Sequence, residues 1–93
     1  MQRVKILASG RVQGVGFRNF ACRIGSSLSL TGYAKNMPDG SVEIFTEGEP
    51  DEISSFIRRM DVRFPFGISV AKLEIVDKKE AGSREFPSFS IRL

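Results

Sequence analysis

Histidine is absent from the 93 residues, and cysteine occurs once, as Cys22. The first absence removes a histidine general base, a Ser-His-Asp triad, a Cys-His pair and every His-ligated metal site. The second leaves no internal disulfide and no Cys-x-x-Cys site. No run approaches the ~18 apolar residues of a membrane span. The start, Met1-Gln2-Arg3-Val4-Lys5, leads into alternation rather than a signal-peptide apolar block. These absences predict a cytoplasmic protein with no metal, no other cofactor and no membrane partner.

What is present suffices for a core. Apolar residues make up 41 % and charged residues 27 % of the chain, a globular balance. The length predicts one domain over residues 1–93, burying roughly 60–65 % of the surface its unfolded form exposes. Fourteen Lys and Arg against eleven Asp and Glu give a net charge of +3 and a pI near 9.4. Such an excess favours anionic partners without selecting one. The longest like-charge runs are pairs such as Arg58-Arg59 and Lys78-Lys79, which read as solvated faces.

Hydrophobic periodicity predicts the elements. Val4, Ile6 and Ala8 alternate with Arg3, Lys5 and Ser9 as a half-buried strand. After a glycine-rich stretch, Phe17, Phe20, Ala21, Ile24 and Leu28 form the apolar stripe of a helix, weakened at its end by Gly25 and the serines that follow. A second strand runs from about Thr31 to Met37, Pro38-Asp39-Gly40 reads as a tight turn, and Val42 to Glu47 completes a hairpin. Pro50 suits a first helical position. Ile53, Phe56, Ile57 and Met60 mark one helical face, with acidic residues at its start and Arg58 and Arg59 at its end. Ala71, Leu73 and Ile75 alternate as a fourth strand. Asp77 to Arg84 reads as a mobile polar loop, and Phe89, Ile91 and Leu93 close the chain as a further strand. The order β-α-β-β-α-β with an extra C-terminal strand predicts an α+β, ferredoxin-like two-layer sandwich. Two helices would cover one face of a mostly antiparallel sheet. Fold alone says nothing about activity.

The chemistry concentrates between the first strand and the first helix. Gly10, Gly14 and Gly16 are followed by Phe17-Arg18. The stretch lacks the Gly-Lys-Ser/Thr close of a Walker A loop, and Asn19 stands where a dinucleotide fingerprint needs Gly or Ala. Glycines still let consecutive N–H groups point inward, a helix N-terminus adds partial positive charge, and Arg18 could add a bidentate contact to the same oxyanion. The plainer alternative is a tight turn beside a surface arginine.

Read as a string, Gly10-Arg11-Val12-Gln13-Gly14-Val15-Gly16-Phe17-Arg18, followed by Gly32-Tyr33-Ala34-Lys35-Asn36 and Pro38-Asp39-Gly40, closely resembles the acylphosphatase family, in its small stand-alone form. Phe89-Ser90-Ile91-Arg92 is similar to the family's usual close. The resemblance implies an enzyme that hydrolyses carboxyl-phosphate mixed anhydrides to a carboxylate and inorganic phosphate, which is product and inhibitor. It implies that Arg18 and amides between Val12 and Arg18 (those of Val12, Gln13, Gly14, Val15, Gly16, Phe17 and Arg18) bind the phosphoryl group. Asn36 would orient the attacking water, so Arg18 and Asn36 are the catalytic candidates.

The residue inventory suits that reaction. An acyl phosphate expels a carboxylate, whose conjugate acid has a pKa of about 4, so no general acid is required at neutral pH. Positioning and electrostatics supply most of phosphoryl-transfer catalysis. Tyr33 reads as sheet packing and Cys22 as a half-buried filler, not a nucleophile. Without the family pattern, Asn36 would read as the start of the hairpin turn.

Asp61 to Gly67 departs from the family, which would have a Gly- and Pro-rich connection there. Phe64 and Phe66 either tuck under the sheet edge or form an exposed patch, so a monomer that can self-associate is expected. RNA recognition uses the same element order, but Glu43 and Glu47 on the third strand would repel phosphate, and no nucleic acid is expected. The competing reading is a module that binds a phosphorylated or carbamoylated metabolite without turnover, as a sensor or carrier.

Overall fold

The computed structural model describes residues 1–93, ordered β1 (Gln2–Arg11), α1 (Phe17–Ser27), β2 (Thr31–Asn36), β3 (Val42–Gly48), α2 (Pro50–Met60), β4 (Ser69–Glu80) and β5 (Phe89–Arg92). The strands form one sheet in the order β4-β1-β3-β2-β5. Neighbours are antiparallel except β2 and β5, which run parallel. The result is the expected ferredoxin-like sandwich with an added edge strand.

Alternation assigns the faces. Val4, Ile6 and Ala8 of β1 and Val42 and Ile44 of β3 are all at most 1 % exposed and pack into one core with Phe17, Ala21 and Ile24 of α1 and Phe56 of α2. α1 lies against β2 and β5, and α2 against β3. Gly25, which the apolar stripe alone marks as a weakness, has a packing role. A Cβ there would run into the Phe89 ring, so glycine lets β5 press against α1.

β4 differs from its sequence reading. Pairing with β1 continues to Glu80, so Asp77 to Glu80 extend the strand instead of opening a loop. The register shifts between Lys5 and Ile6 and again between Ser9 and Gly10. These irregularities break the period of two and hide the strand's length from alternation. They also leave Ala71 exposed, where alternation places it inside. No helix covers this edge, so Ile75 is 53 % exposed. Phe64 and Phe66 lie at the surface, 47 % and 95 % exposed, not under the sheet.

The open face of the sheet has a different chemistry. The segment after β4 crosses it to reach β5, and the Glu47 carboxylate, 0 % exposed, holds that segment. It accepts the N–H of Glu85 at 2.9 Å, the N–H of Phe86 at 2.8 Å and the Thr31 hydroxyl at 2.9 Å, with Arg3 alongside at 3.5 Å. Phe86 then packs on Tyr33 and Phe45, whose rings stack at 5.6 Å, and the Arg92 guanidinium lies 4.2 Å from the Tyr33 centroid. Tyr33 donates to Glu43 at 2.7 Å. Burial first, then the Glu43 hydrogen bond and charge, push its pKa up to about 12. Tyr33 is therefore sheet packing, as its sequence position suggests.

Burial is the largest single influence on Glu47 and raises its pKa. The Glu85 and Phe86 amides, Thr31 and Arg3 together outweigh it, and the net direction is down. A depressed folded-state pKa means stability that is full above the unfolded value of about 4.3 and lost as pH falls through the folded value. Glu47→Ala is expected to destabilise the protein by about 1–3 kcal/mol at pH 7, the usual effect of stranding buried donors. The gap to wild type should begin to narrow below about pH 4.3 and keep narrowing as pH falls through the depressed folded-state value, and urea unfolding across that range checks it.

Candidate active site

The glycine-rich string becomes the connection from β1 to α1. Gly14 and Gly16 have φ of 73° and 82°, a left-handed region that disfavours a side chain by roughly 1–2 kcal/mol. A Cβ at either would meet nothing within 4 Å, so conformation, not crowding, requires glycine there. Phe17 anchors the far end, 1 % exposed. Burying such a ring contributes roughly 1.5–3 kcal/mol, which pins the junction while the preceding backbone turns outward.

The loop's N–H groups are left over. From Gln13 to Arg18, none donates to an acceptor within the protein. α1 starts with no side-chain cap and no acidic residue in its first turn, whereas α2 carries Asp51 and Glu52 there. The helix that follows the loop thus keeps its partial positive charge and its free donors for an anion. Arg11, the other arginine of the string, is turned away and donates to the carbonyls of Phe64, Pro65 and Gly67. Arg18 is the one that faces the loop.

Arg18 and Asn36 meet that loop in a cavity of about 160 Å³, lined by Val12, Gly14, Gly16, Phe17, Arg18, Asn19, Asn36 and Ile91. No carboxylate lines it. Asn36 arrives from across the sheet, because Val42 of β3 stands opposite both Ala8 of β1 and Asn36 of β2. Its Oδ1 is buried and has no hydrogen-bond partner. A buried acceptor of that kind is destabilising by about 1–3 kcal/mol unless a donor reaches it, and a water O–H is a donor of suitable size.

The remaining candidates divide. Val12 is buried under the cavity, and Val15 is half-buried and packs on the core. The Gln13 side chain does not line the cavity and bonds instead to the carbonyls of Met37 and Ser41. Cys22 is half-buried, and desolvation raises its thiol pKa against the opposing effect of Arg18, which disfavours the thiolate a nucleophile needs.

A free-donor loop, an arginine and an unpaired amide oxygen thus surround one small cavity. The sequence model of the acylphosphatase family matches residues 4–91. The chain belongs to the acylphosphatase family. An acylphosphatase of Methanospirillum hungatei is 38 % identical over 92 residues, covering 99 % of this chain and 98 % of the relative. That of Caldivirga maquilingensis is 41 % identical over 91 residues, covering 97 % and 93 %. The crystal structure of acylphosphatase from Bacillus subtilis superposes with a TM-score of 0.89 at 33 % identity, covering all of both chains. Membership in the acylphosphatase family makes hydrolysis of acyl phosphates its activity.

Two cavity residues escape a reading of the sequence. Asn19 follows Arg18 on α1 and carries no motif of its own. Ile91 reaches the rim only because β5 pairs in parallel with β2, Ile91 opposite Ala34. The alternation of Phe89 and Ile91 marks an inward face but not the strand it joins.

Proposed function

We propose that the chain hydrolyses acyl phosphates by water attack on a phosphoryl group. The group is held by the N–H row from Val12 to Arg18 and by the Arg18 guanidinium, with Asn36 orienting the water. One observation carries this reading: a single cavity contains donors without acceptors and, facing them, an acceptor without a donor. An oxyanion satisfies the first set and a water the second.

The steps follow from those groups. The loop amides and Arg18 bear on the non-bridging phosphoryl oxygens and stabilise the charge that spreads over them in the transition state. The water donates one O–H to Asn36 Oδ1 and presents its lone pair to phosphorus. Its oxygen bonds to phosphorus as the bond to the acyl oxygen breaks, and the carboxylate leaves with that electron pair. A phosphoryl oxygen takes the water's proton, so the acyl phosphate dianion and water become a carboxylate and dihydrogen phosphate. The leaving group is stable as an anion at neutral pH, so neither a general acid nor a metal is required.

The enzyme acts as a metal-independent, cytoplasmic monomer with inorganic phosphate as product and competitive inhibitor.

Hydrolysis of benzoyl phosphate, followed by its ultraviolet absorbance with and without EDTA, tests the reading. Wild type should turn over regardless of chelator, and Arg18→Ala should lower kcat/KM by roughly 10²–10³-fold, about 2.7–4 kcal/mol. Near-normal turnover in Arg18→Ala, or a folded wild type that binds phosphate without hydrolysis, sinks it and favours a sensor or carrier. Asn36→Ala should lower kcat while phosphate inhibition stays nearly intact. Strong loss of phosphate binding in that variant would show that its role lies in the cradle.

A further inference from the structure

We propose that the Gln13 side chain is a positioning residue that fixes Asn36, and with it the attacking water, relative to the phosphoryl cradle. This inference rests on the role given above to Asn36.

Gln13 has two separable parts. Its backbone belongs to the loop whose N–H groups are unpartnered, while its side chain leaves the cavity. The carboxamide Nε2 donates to the Met37 carbonyl at 2.8 Å and to the Ser41 carbonyl at 2.8 Å. A carboxamide nitrogen has two hydrogens to give, so both are committed to these two carbonyls.

The acceptors lie at the two ends of the hairpin turn that follows Asn36. Met37 is the next residue, and its N–H donates back to the Ser41 carbonyl at 2.8 Å. Within the turn, Gly40 donates to the Met37 carbonyl at 3.1 Å, and Asp39 accepts both the Ser41 N–H and the Ser41 hydroxyl. The turn is thus braced internally. The two Gln13 bonds are the hydrogen bonds that join it to the loop.

That bridge matters because the two halves of the site have no direct strand contact. β3 lies between β1 and β2, which separates them by two strand spacings, about 9.5 Å. β3 starts at Val42, immediately after Ser41, so Gln13 reaches over the end of the intervening strand. In-line attack is sensitive to such spacing, and a displacement of ~1 Å at the reacting atoms can lower the rate a hundredfold. An apolar side chain could fill the same half-buried space. It could not hold two carbonyls.

The test is a double-mutant cycle on benzoyl phosphate, reading kcat, KM, competitive inhibition by inorganic phosphate, and thermal unfolding. Gln13→Met keeps the length and removes both donors. It should lower kcat by roughly ten- to a hundredfold with phosphate inhibition within about twofold of wild type. In the Asn36→Ala background the same change should have no further effect on kcat, since nothing remains to be positioned. Gln13→Glu is nearly isosteric, but when ionised it faces two carbonyl oxygens with no donor. Its deficit relative to wild type should shrink as pH falls and the carboxyl regains one O–H. That pH dependence also decides the matter should Gln13→Met fold poorly.

Several outcomes overturn the proposal. One is full additivity of Gln13→Met with Asn36→Ala. Another is a loss of phosphate binding as large as the loss of kcat, which would make Gln13 a shaper of the cradle. A third is a Gln13→Glu deficit that does not change with pH. Full activity in Asn36→Ala would remove the role of Asn36 and this tether together. The Arg18 result stands apart from all of these.

Discussion

The register of β3 against its two neighbours is the constraint on which the site depends. Val42 faces Ala8 on one side and Asn36 on the other, so one row across the sheet sets where the loop after β1 and the end of β2 stand. A slip of one residue on either side would turn Asn36 to the opposite face, because side chains alternate with a period of two. Both faces resist such a slip. Val42 and Ile44 are wholly buried beneath the helices, while Tyr33 stacks on Phe45 on the other side. The braced turn from Met37 to Ser41 closes the hairpin at the same end.

The sheet also keeps opposite charges apart. Glu43 and Glu47 point from β3 to the open face, where Tyr33, Thr31, Arg3 and the crossing segment engage them. The helix face presents the uncapped start of α1, the free loop N–H groups and Arg18. A carboxylate in that cavity would oppose a phosphoryl anion, and none lines it. The Glu47 contacts serve the site at a distance, by holding the segment that delivers β5 and hence Ile91 to the rim. An acyl phosphate already carries a good leaving group, so binding its phosphoryl end and aligning a water is most of what the reaction needs.

Much of this was legible in the sequence, for identifiable reasons. Strong alternation in β1 and β3 and the stripe of α1 set the element order. The glycines before Phe17-Arg18, which free the backbone N–H groups because they carry no Cβ, point to an anion loop, and the family pattern extended the candidate site to Asn36. What stayed hidden came from tertiary contact. Irregular pairing concealed how far β4 runs, the parallel pairing of β5 brought Ile91 to the cavity, and Gly25 looked like a weakness until Phe89 was seen against it. Gln13 sits inside the motif, yet its side-chain partners are 24 and 28 residues away, beyond any local pattern.

Where the water's oxygen ends up tests the proposed chemistry most directly. Benzoyl phosphate hydrolysed to completion in oxygen-18-enriched water should yield inorganic phosphate carrying one solvent oxygen and benzoate carrying none, as attack at a cradled phosphorus requires. Label in benzoate would place the attack at the carbonyl carbon. It would contradict the roles given to the loop, Arg18 and Asn36 together.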